Sequence, residues 1–266
     1  MKTVLICHAG DSMNEVGLAR WLASFSDLQG VVVIRETQKR KWQRIRREIR
    51  RVGLLRFFDV IAFRAFYSLT RASRDQEWER ERLSRLCKAY EAPRQTPVLF
   101  TSSPNSDEAR EFISRAQPDI AIARCKTLLN ERIFSIPRDG TFVMHPGICP
   151  EYRNAHGCFW AVANGDYDRV GMTLLRVDKG VDTGGVYGYY SCNFDAPSES
   201  HVVIQHRVLF DNLDELRKKL QQIHAGEART IDTSGRASAT WGQPWLSRYL
   251  RGVWSRSAFA VRQTGN

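Results

Sequence analysis

Residues 119–146 read DIAIARCKTLLNERIFSIPRDGTFVMHP and contain two short apolar runs, at 119–123 and 140–145. Within each run apolar residues follow one another with little alternation. This pattern is typical of strands that are covered on both faces of a sheet. The stretch therefore predicts two central strands, the second of which ends at His145.

Similar apolar runs precede this stretch. They occupy Thr3–Cys7, Gly30–Ile34 and Pro97–Phe100. Helix signals lie between the runs: Ser12 and Glu15 have the spacing of a capping box, and the segment 106–116 begins with acidic residues that favour a helix N-terminus. Strands that alternate with helices predict an α/β fold with a doubly wound, mostly parallel sheet.

After His145 the pattern changes to a polar loop marked by glycine and proline. A short helix is predicted at 157–165, two strands at Val170–Val177 and Val186–Phe194, and one long amphipathic helix at Ser198–Ala225. We therefore expect a domain of residues 1–226. The tail, residues 227–266, shows no pattern that indicates its structure.

The segment from about 39 to 90, between the second and third predicted strands, departs from the α/β alternation. Nine basic residues and one acid lie between Lys39 and Arg56, and an apolar stretch follows as far as Leu69. Apolar residues recur at helical spacing in the basic part. We expect a helical insertion of two or three helices.

Composition restricts the environment and the partners. The net charge of +11 favours anionic partners such as nucleotides, nucleic acid or lipid headgroups. The six cysteines form no CxxC pair and no Cys/His cluster with zinc spacing, so we expect free thiols, no metal and a cytoplasmic location. No apolar stretch is long enough to predict a membrane-spanning helix.

Residues 144–147 (MHPG), 152–157 (YRNAHG) and 181–185 (VDTGG) occur on a strand end, a loop and a later turn. In this order the segments resemble the folate-dependent formyltransferases, a Rossmann-like family that uses an Asn, a His two residues later and a distant Asp. The resemblance implies that His145 and Asp182 are catalytic and that 1–226 is the catalytic domain. The position of the family Asn is held by Val143.

The chemistry of formyl transfer explains the residue types. The reaction passes through a tetrahedral oxyanion, and the attacking amine must lose a proton, which His145 and Asp182 would carry. Val143 offers no side-chain donor, so three alternatives stay open: another donor such as Asn154, a formyltetrahydrofolate hydrolase, or a non-catalytic binding protein. Asp182 also has a structural alternative as an ordinary turn residue.

The resemblance implies binding residues as well. Folate, supplied as 10-formyltetrahydrofolate, would lie against Thr127, Leu128, Leu129, Val177, Asp178, Gly180 and Val181. The helix N-terminus after the first strand would hold a substrate phosphate near Gly10 and Ser12. Arg153 and Asn154, on the loop after His145, are further candidates for substrate binding.

The acceptor is expected to be a small amine, and a nucleotide-linked amino sugar fits best. Only about 40 residues follow the last predicted helix, too few for the C-terminal barrel of methionyl-tRNA formyltransferase, and no nucleic-acid-binding module is evident. The basic and apolar residues of 39–69 predict one further partner, a membrane surface or a lipid-linked substrate, and with it a membrane-peripheral location. The alternative is a helical pair packed on the domain.

Overall fold

A computed structural model describes residues 1–93, 95–196 and 198–252. Its main sheet has seven strands in the order β3-β2-β1-β4-β5-β7-β8. These strands are β1 (Lys2–His8), β2 (Asp27–Ile34), β3 (Val98–Thr101), β4 (Ile120–Arg124), β5 (Gly140–His145), β7 (Met172–Arg176) and β8 (Val186–Tyr190). β1 to β5 are parallel, whereas β7 and β8 are antiparallel to their neighbours. The predicted doubly wound, mostly parallel sheet is confirmed.

Helices cover both faces of this sheet. They are α1 (Ala19–Ala23), which continues a π-helical segment at Met13–Leu18, then α2 (Gln38–Val52), α3 (Leu54–Thr70), α4 (Ala72–Ala89), α5 (Asp107–Ala116), α6 (Glu131–Phe134), α7 (Gly157–Ala163), α8 (His201–Phe210) and α9 (Leu213–His224). In β1, Leu5 packs into the core under α1 and α8, while Val4 and Ile6 pack under α5. Alternate side chains of one strand enter two cores, which explains the continuous apolar run.

The sheet order fixes where a ligand can approach. The chain runs outward from β1 through β2 to β3 and then crosses to β4 on the other side of β1. In open α/β sheets such a switch point leaves a crevice at the carboxyl ends of the strands. His8, Arg124 and His145 each end a strand at this edge.

The predicted insertion forms three helices, α2, α3 and α4, between β2 and β3. Phe63 of α3 is 4% exposed and packs edge-on against Phe159 of α7. Asp75 of α4 is 3% exposed and accepts hydrogen bonds from the hydroxyls of Tyr67 and Ser200. The insertion is thus anchored to the domain through α3 and α4. No helix in the described part of the chain is both long and apolar enough to cross a membrane.

The structure corrects the last predicted helix and adds order to the tail. The expected single helix at 198–225 is two helices, because the chain turns at Asp211 and Asn212, where the Asn212 amide donates to the carbonyls of Val208 and Ser191. In the tail, β9 (Thr240–Trp241) pairs in parallel with β6 (Arg153–Asn154). Residues 253–266 lie outside the described residues.

Candidate functional site

His145 lies at the carboxyl end of β5 with both ring nitrogens in contact with other groups. Its Nδ1 is 3.4 Å from Oδ2 of Asp182, and its Nε2 is 2.8 Å from the main-chain carbonyl oxygen of Tyr152. A carbonyl only accepts hydrogen bonds, so Nε2 carries a hydrogen in this arrangement. The exchangeable proton is therefore the one at Nδ1, where the imidazole faces the carboxylate.

Asp182 reaches His145 from the loop between β7 and β8. This loop starts at the opposite edge of the sheet, where the Val177 N–H donates to the Thr141 carbonyl at 2.7 Å, and then turns back. Asp182 and Asn154 both have positive φ, +52° and +79°. The backbone N–H of Asn154 donates to Oδ2 of Asp182 at 2.8 Å. Two costly backbone conformations converge on one carboxylate, an arrangement often found at functional sites.

Arg153 and Asn154, which the sequence predicts as substrate ligands, hold the site together in this structure. The guanidinium of Arg153 donates to the Val181 carbonyl at 3.0 Å, next to Asp182. The side-chain amide of Asn154 donates to the Trp241 carbonyl at 2.5 Å. Direct contact of either residue with a substrate, including Asn154 as a replacement oxyanion donor, stays a prediction.

One ion pair connects the loop before Asp182 with the helix that follows the other segment predicted to bind folate. Lys179, in the loop before Asp182, forms a 2.9 Å ion pair with Glu131, just after the segment 127–129. The loop is closed by Asp178, which accepts from the Gly180 N–H at 2.9 Å and from the Thr183 hydroxyl. The Val181 carbonyl accepts the hydrogen bond from Arg153.

Leu128 and Leu129 have opposite environments. Leu128 is 60% exposed, with its carbonyl held by the Asn105 amide at 2.8 Å. Leu129 is only 8% exposed and packs in the core with Ile133. The side chain of Leu129 therefore belongs to the core, and contact of Leu129 with folate stays a prediction. Thr127 and Leu128 remain accessible at this edge.

The first turn does not fit the predicted phosphate contact well. The Gly10 N–H donates to Glu15 at 3.3 Å, and the Asn14 N–H donates to Asp11 at 3.2 Å. The hydroxyl of Ser12 makes no capping hydrogen bond, so the predicted capping box is wrong and Asp11 accepts in its place. Two carboxylates at this turn disfavour a phosphate there. Binding by Gly10 and Ser12 stays a prediction that this geometry does not favour.

Cations lie nearby at the same edge of the sheet. A cavity of about 380 Å³ is lined by His8, Arg35, Glu36 and Lys126, among others. The Lys126 N–H donates to Nε2 of His8 at 3.0 Å. Burial and then the Lys126 ammonium lower the pKa of His8. This side of the crevice is thus suited to an anionic group.

Two other histidines are buried near the insertion. Burial lowers the pKa of His156 to about 4 and that of His201 to about 3, and their rings are 5.6 Å apart between centroids. Lys126 and Arg64 lower the pKa of His156 further. Both imidazoles are therefore neutral at pH 7 and serve as packing groups between α3, α7 and α8.

The tail completes the site in a way that the sequence did not indicate. Arg236 forms a bidentate ion pair with Glu151, its closer N–O distance being 2.7 Å. Trp241 stacks on Tyr152 with centroids 5.6 Å apart. Tyr152 in turn provides the carbonyl that holds His145. These contacts join residues about 90 positions apart, so no local pattern signals them.

One group of side chains in the described part of the chain has the spacing of metal ligands: Asp119, Asp139 and His224. It lies at the amino ends of β4 and β5, opposite to His145. The Arg138 guanidinium is 3.0 Å from Asp119 and 3.1 Å from Asp139 and neutralises the carboxylates. This position therefore favours an ion-pair network over a metal ion, and the expectation of no metal stays a prediction.

Comparison with protein families places this site in context. Residues 71–218, more than half of the chain, match the family model described as formyl transferase. The chain belongs to the formyl transferase family. The matched segment includes His145 and Asp182, whereas α2 and α3 lie before it. The family resemblance seen in the sequence is thus confirmed.

Relatives within the family act on different acceptors. Methionyl-tRNA formyltransferase of Thermotoga neapolitana is 30% identical over 132 residues, which are 49% of this chain and 42% of that protein. GDP-perosamine N-formyltransferase of Brucella melitensis biotype 1 is 24% identical over 183 residues, 64% of this chain and 70% of that protein. The chain therefore spans less than half the length of the Thermotoga relative.

Solved structures of the family share the fold. Phosphoribosylglycinamide formyltransferase from Anaplasma phagocytophilum superposes with a TM-score of 0.56 at 13% identity, covering 92% of this chain and 99% of that one. A sugar N-formyltransferase from Shewanella sp. gives a TM-score of 0.54 at 12% identity, covering 91% and 77%. At such identities the likeness shows the fold alone.

Proposed function

We propose that this protein transfers a formyl group from 10-formyltetrahydrofolate to the amine of a small molecule. The observation that carries the proposal is the contact between His145 and Asp182, at 3.4 Å, inside the segment that matches the family. Proton transfer needs groups in near contact. The two residues that the sequence singles out meet this condition although 37 positions separate them.

The two neighbouring loops offer a fit for the folate. Leu128 leaves an apolar side chain 60% exposed, and the loop that contains Asp178, Gly180 and Val181 is linked to α6, just after Leu128, by the Lys179–Glu131 ion pair. A flat heterocycle suits an apolar wall lined with main-chain donors and acceptors. We therefore assign folate binding to Thr127, Leu128 and the loop 177–181. The bound folate would supply the formyl carbon that the amine attacks.

His145 and Asp182 would handle the proton of the attacking amine. As the new C–N bond forms, the amine becomes acidic and its proton passes to the His145–Asp182 pair. The bond between the formyl carbon and the donor nitrogen of the folate then breaks, and that nitrogen takes the proton back from the pair, so that tetrahydrofolate leaves neutral at this nitrogen. The carboxylate of Asp182, 3.4 Å from Nδ1, compensates the positive charge that the imidazole gains. The N–H of Asn154 keeps the carboxylate in place at 2.8 Å, so the pair stays aligned during the transfer.

A nucleotide-linked amino sugar is the acceptor that we propose. The GDP-perosamine N-formyltransferase of Brucella aligns over 70% of its length, and its name describes such a substrate. In this chain, Lys126 and Arg35 line a cavity at the switch point of the sheet, so this edge of the sheet suits an acceptor that carries anionic groups. The direct test measures tetrahydrofolate release with and without amino sugars.

Two other activities are compatible with the fold. A formyltetrahydrofolate hydrolase would release tetrahydrofolate and formate without any amine. A non-catalytic binding protein would bind folate without releasing tetrahydrofolate, and Val143 favours this alternative because it lacks a side-chain donor. Whether tetrahydrofolate is released, and whether its release requires an amine, distinguishes the three activities.

Replacing Val143 with Asn is expected to raise turnover. Val143 lies two residues before His145 and therefore on the same face of β5, where it is half-buried and packs near Cys149 and Tyr189. Restoring an oxyanion donor should raise kcat by about 100-fold. A polar amide among apolar groups should lower the stability of the fold by about 1–3 kcal/mol. Steady-state kcat together with thermal unfolding measures both effects. A fall in stability with unchanged kcat would show that the position is purely structural.

We further propose that α2 and α3 contact an anionic membrane surface. α3 exposes apolar side chains at helical spacing: Leu54 (65% exposed), Leu55 (88%), Phe58 (64%), Ile61 (45%) and Leu69 (86%). The preceding helix, α2, carries most of the basic residues of the insertion. An apolar face beside a basic helix complements the headgroups and acyl chains of such a surface.

Vesicle co-sedimentation tests this contact. The protein should pellet with phosphatidylserine vesicles at low salt, and the double change Leu55→Ser and Phe58→Ser should weaken binding roughly tenfold, because two apolar side chains no longer enter the interface. The matched control changes Val98→Ser and Ile231→Ser, which are 50% and 41% exposed outside the insertion. If the protein stays in the supernatant, or both double variants behave alike, the membrane proposal is wrong.

A further inference from the structure

A second cavity lies between the insertion and the C-terminal segment, outside the pair of His145 and Asp182. Its volume is about 620 Å³. We name it the arginine–tryptophan cavity after six of its lining residues: Arg51, Arg56, Trp241, Trp245, Arg248 and Arg251. Three segments that are distant in sequence meet here: the junction of α2 and α3, α7 through Trp160, and residues 240–251.

The cavity carries a positive charge that its own carboxylate does not neutralise. Four arginines line it against one carboxylate, Asp59, which accepts hydrogen bonds from the N–H and hydroxyl of Ser247. Among the described residues, Arg56, Arg248 and Arg251 have no carboxylate within ion-pair distance, whereas Arg51 pairs with Glu48 at 2.6 Å. Several guanidinium groups around one concave space favour a phosphate, which they can bind through paired hydrogen bonds.

The aromatic groups are placed to bind a flat ring beside such a phosphate. Trp241 stacks on Trp160 at 4.9 Å between centroids, and the Arg56 guanidinium lies 5.1 Å from the ring centroid of Trp245. The indole N–H of Trp245 is buried and has no acceptor among the described residues. It is thus an unused donor on a residue that lines the cavity.

Gly242 leaves the space in the cavity wall that the Arg51 guanidinium occupies. A Cβ at Gly242 would lie 1.4 Å from a guanidinium nitrogen of Arg51. The carbonyl of Gly242 accepts from the Trp160 indole at 2.9 Å, which fixes the backbone there. Arg51 therefore packs against a main-chain surface that only glycine leaves open.

The cavity is adjacent to the pair of His145 and Asp182. Trp241 lines the cavity, and its carbonyl accepts from the side chain of Asn154 at 2.5 Å. The backbone N–H of the same Asn154 donates to Asp182 at 2.8 Å. Asn154 and its two hydrogen bonds thus connect the cavity wall to the Asp182 carboxylate, over a distance on the order of 10 Å.

We propose that the arginine–tryptophan cavity binds the phosphate groups of the acceptor and so places its amine toward His145. This proposal rests on the proposed formyl transfer. It assigns the phosphate site to the insertion and the C-terminal segment, instead of to the first turn near Gly10 and Ser12. A nucleoside diphosphate and a lipid-linked phosphate share the chemistry that this cavity recognises.

Calorimetry in the absence of folate tests the site independently of activity. The probes are UDP, GDP, inorganic diphosphate and vesicles that contain phosphatidic acid. Arg56→Gln and Arg248→Gln are each expected to raise the Kd of the bound probe about tenfold, because a charge-assisted contact is lost. Arg47→Gln is the matched control, since it removes the same charge from an exposed position on α2 outside the cavity wall; its Kd should stay within about twofold.

Gly242→Ala provides a variant that keeps every charge. It should displace the Arg51 guanidinium and raise the Kd several-fold. Binding of nucleotides assigns the site to a soluble acceptor, and binding of phosphatidic acid alone, lost in Arg56→Gln and Arg248→Gln, assigns it to a lipid-linked one. Failure of all probes to bind, or equal weakening by Arg47→Gln, would overturn the proposal.

Failure of the site and failure of the proposed reaction give different results. If the probes bind and respond to the cavity variants while no tetrahydrofolate is released, the site stands and formyl transfer does not. If tetrahydrofolate is released and the cavity variants leave the KM of the acceptor unchanged, formyl transfer stands and the site is wrong.

Discussion

The change Asp182→Asn is expected to lower kcat by about 100- to 10,000-fold. The carboxylate lies 3.4 Å from Nδ1 of His145 and is the only partner at that nitrogen among the described residues. Without its charge the imidazole cannot hold the amine's proton as readily. The fold should survive, because the Asn side-chain oxygen can still accept from the Asn154 N–H. Steady-state kinetics and thermal unfolding measure the two effects.

The matched control is Asp107→Asn, which removes the same charge from a side chain that is 78% exposed on α5. Its kcat should match that of the unchanged protein. Equal kcat values for both variants would show that Asp182 is only a turn residue.

Replacing Asp75 with Ala is expected to lower the free energy of unfolding by roughly 3–5 kcal/mol. Its carboxylate is 3% exposed and accepts from Tyr67 of α3, at 2.6 Å, and from Ser200. Ser200 in turn caps α8 through the Val202 and Val203 N–H groups. The change leaves two buried hydroxyls without their acceptor and loosens three helices at once.

Denaturant unfolding measures this effect, with Asp214→Ala as its control. The Asp214 side chain is 70% exposed and has only a 3.6 Å ion pair with Arg217, so its loss should change stability by less than about 0.5 kcal/mol. A similar small change in both variants would mean that the buried carboxylate does not anchor the insertion.

The strands could be predicted because their environment is uniform. In β5, for example, Phe142 and Met144 enter one core and Val143 packs against another, and the sequence shows this directly as three successive apolar residues. Local sequence patterns did not predict the break between the two helices within 198–225. There the break at Asp211–Asn212 contains neither glycine nor proline, and it is stabilised by a long-range bond from Asn212 to the Ser191 carbonyl at 2.8 Å.

The catalytic candidates could be found only through the family motif, since nothing local joins His145 to Asp182. The rest of the site was not predictable from local patterns. Trp241 and Arg236 lie in a polar tail without periodicity, yet they pack on Tyr152 and Glu151. The arginine–tryptophan cavity is likewise built from separate segments, and such surfaces are visible only when the chain is folded.

The measurement that tests the central claim most directly is tetrahydrofolate release from 10-formyltetrahydrofolate with and without a panel of nucleotide-linked amino sugars. We expect release to depend on one of the amines, to match the formylated amine in amount, and to be lost in Asp182→Asn. Release that is equally fast without any amine would identify a hydrolase. No release with any acceptor, despite folate binding, would contradict formyl transfer and leave a binding protein.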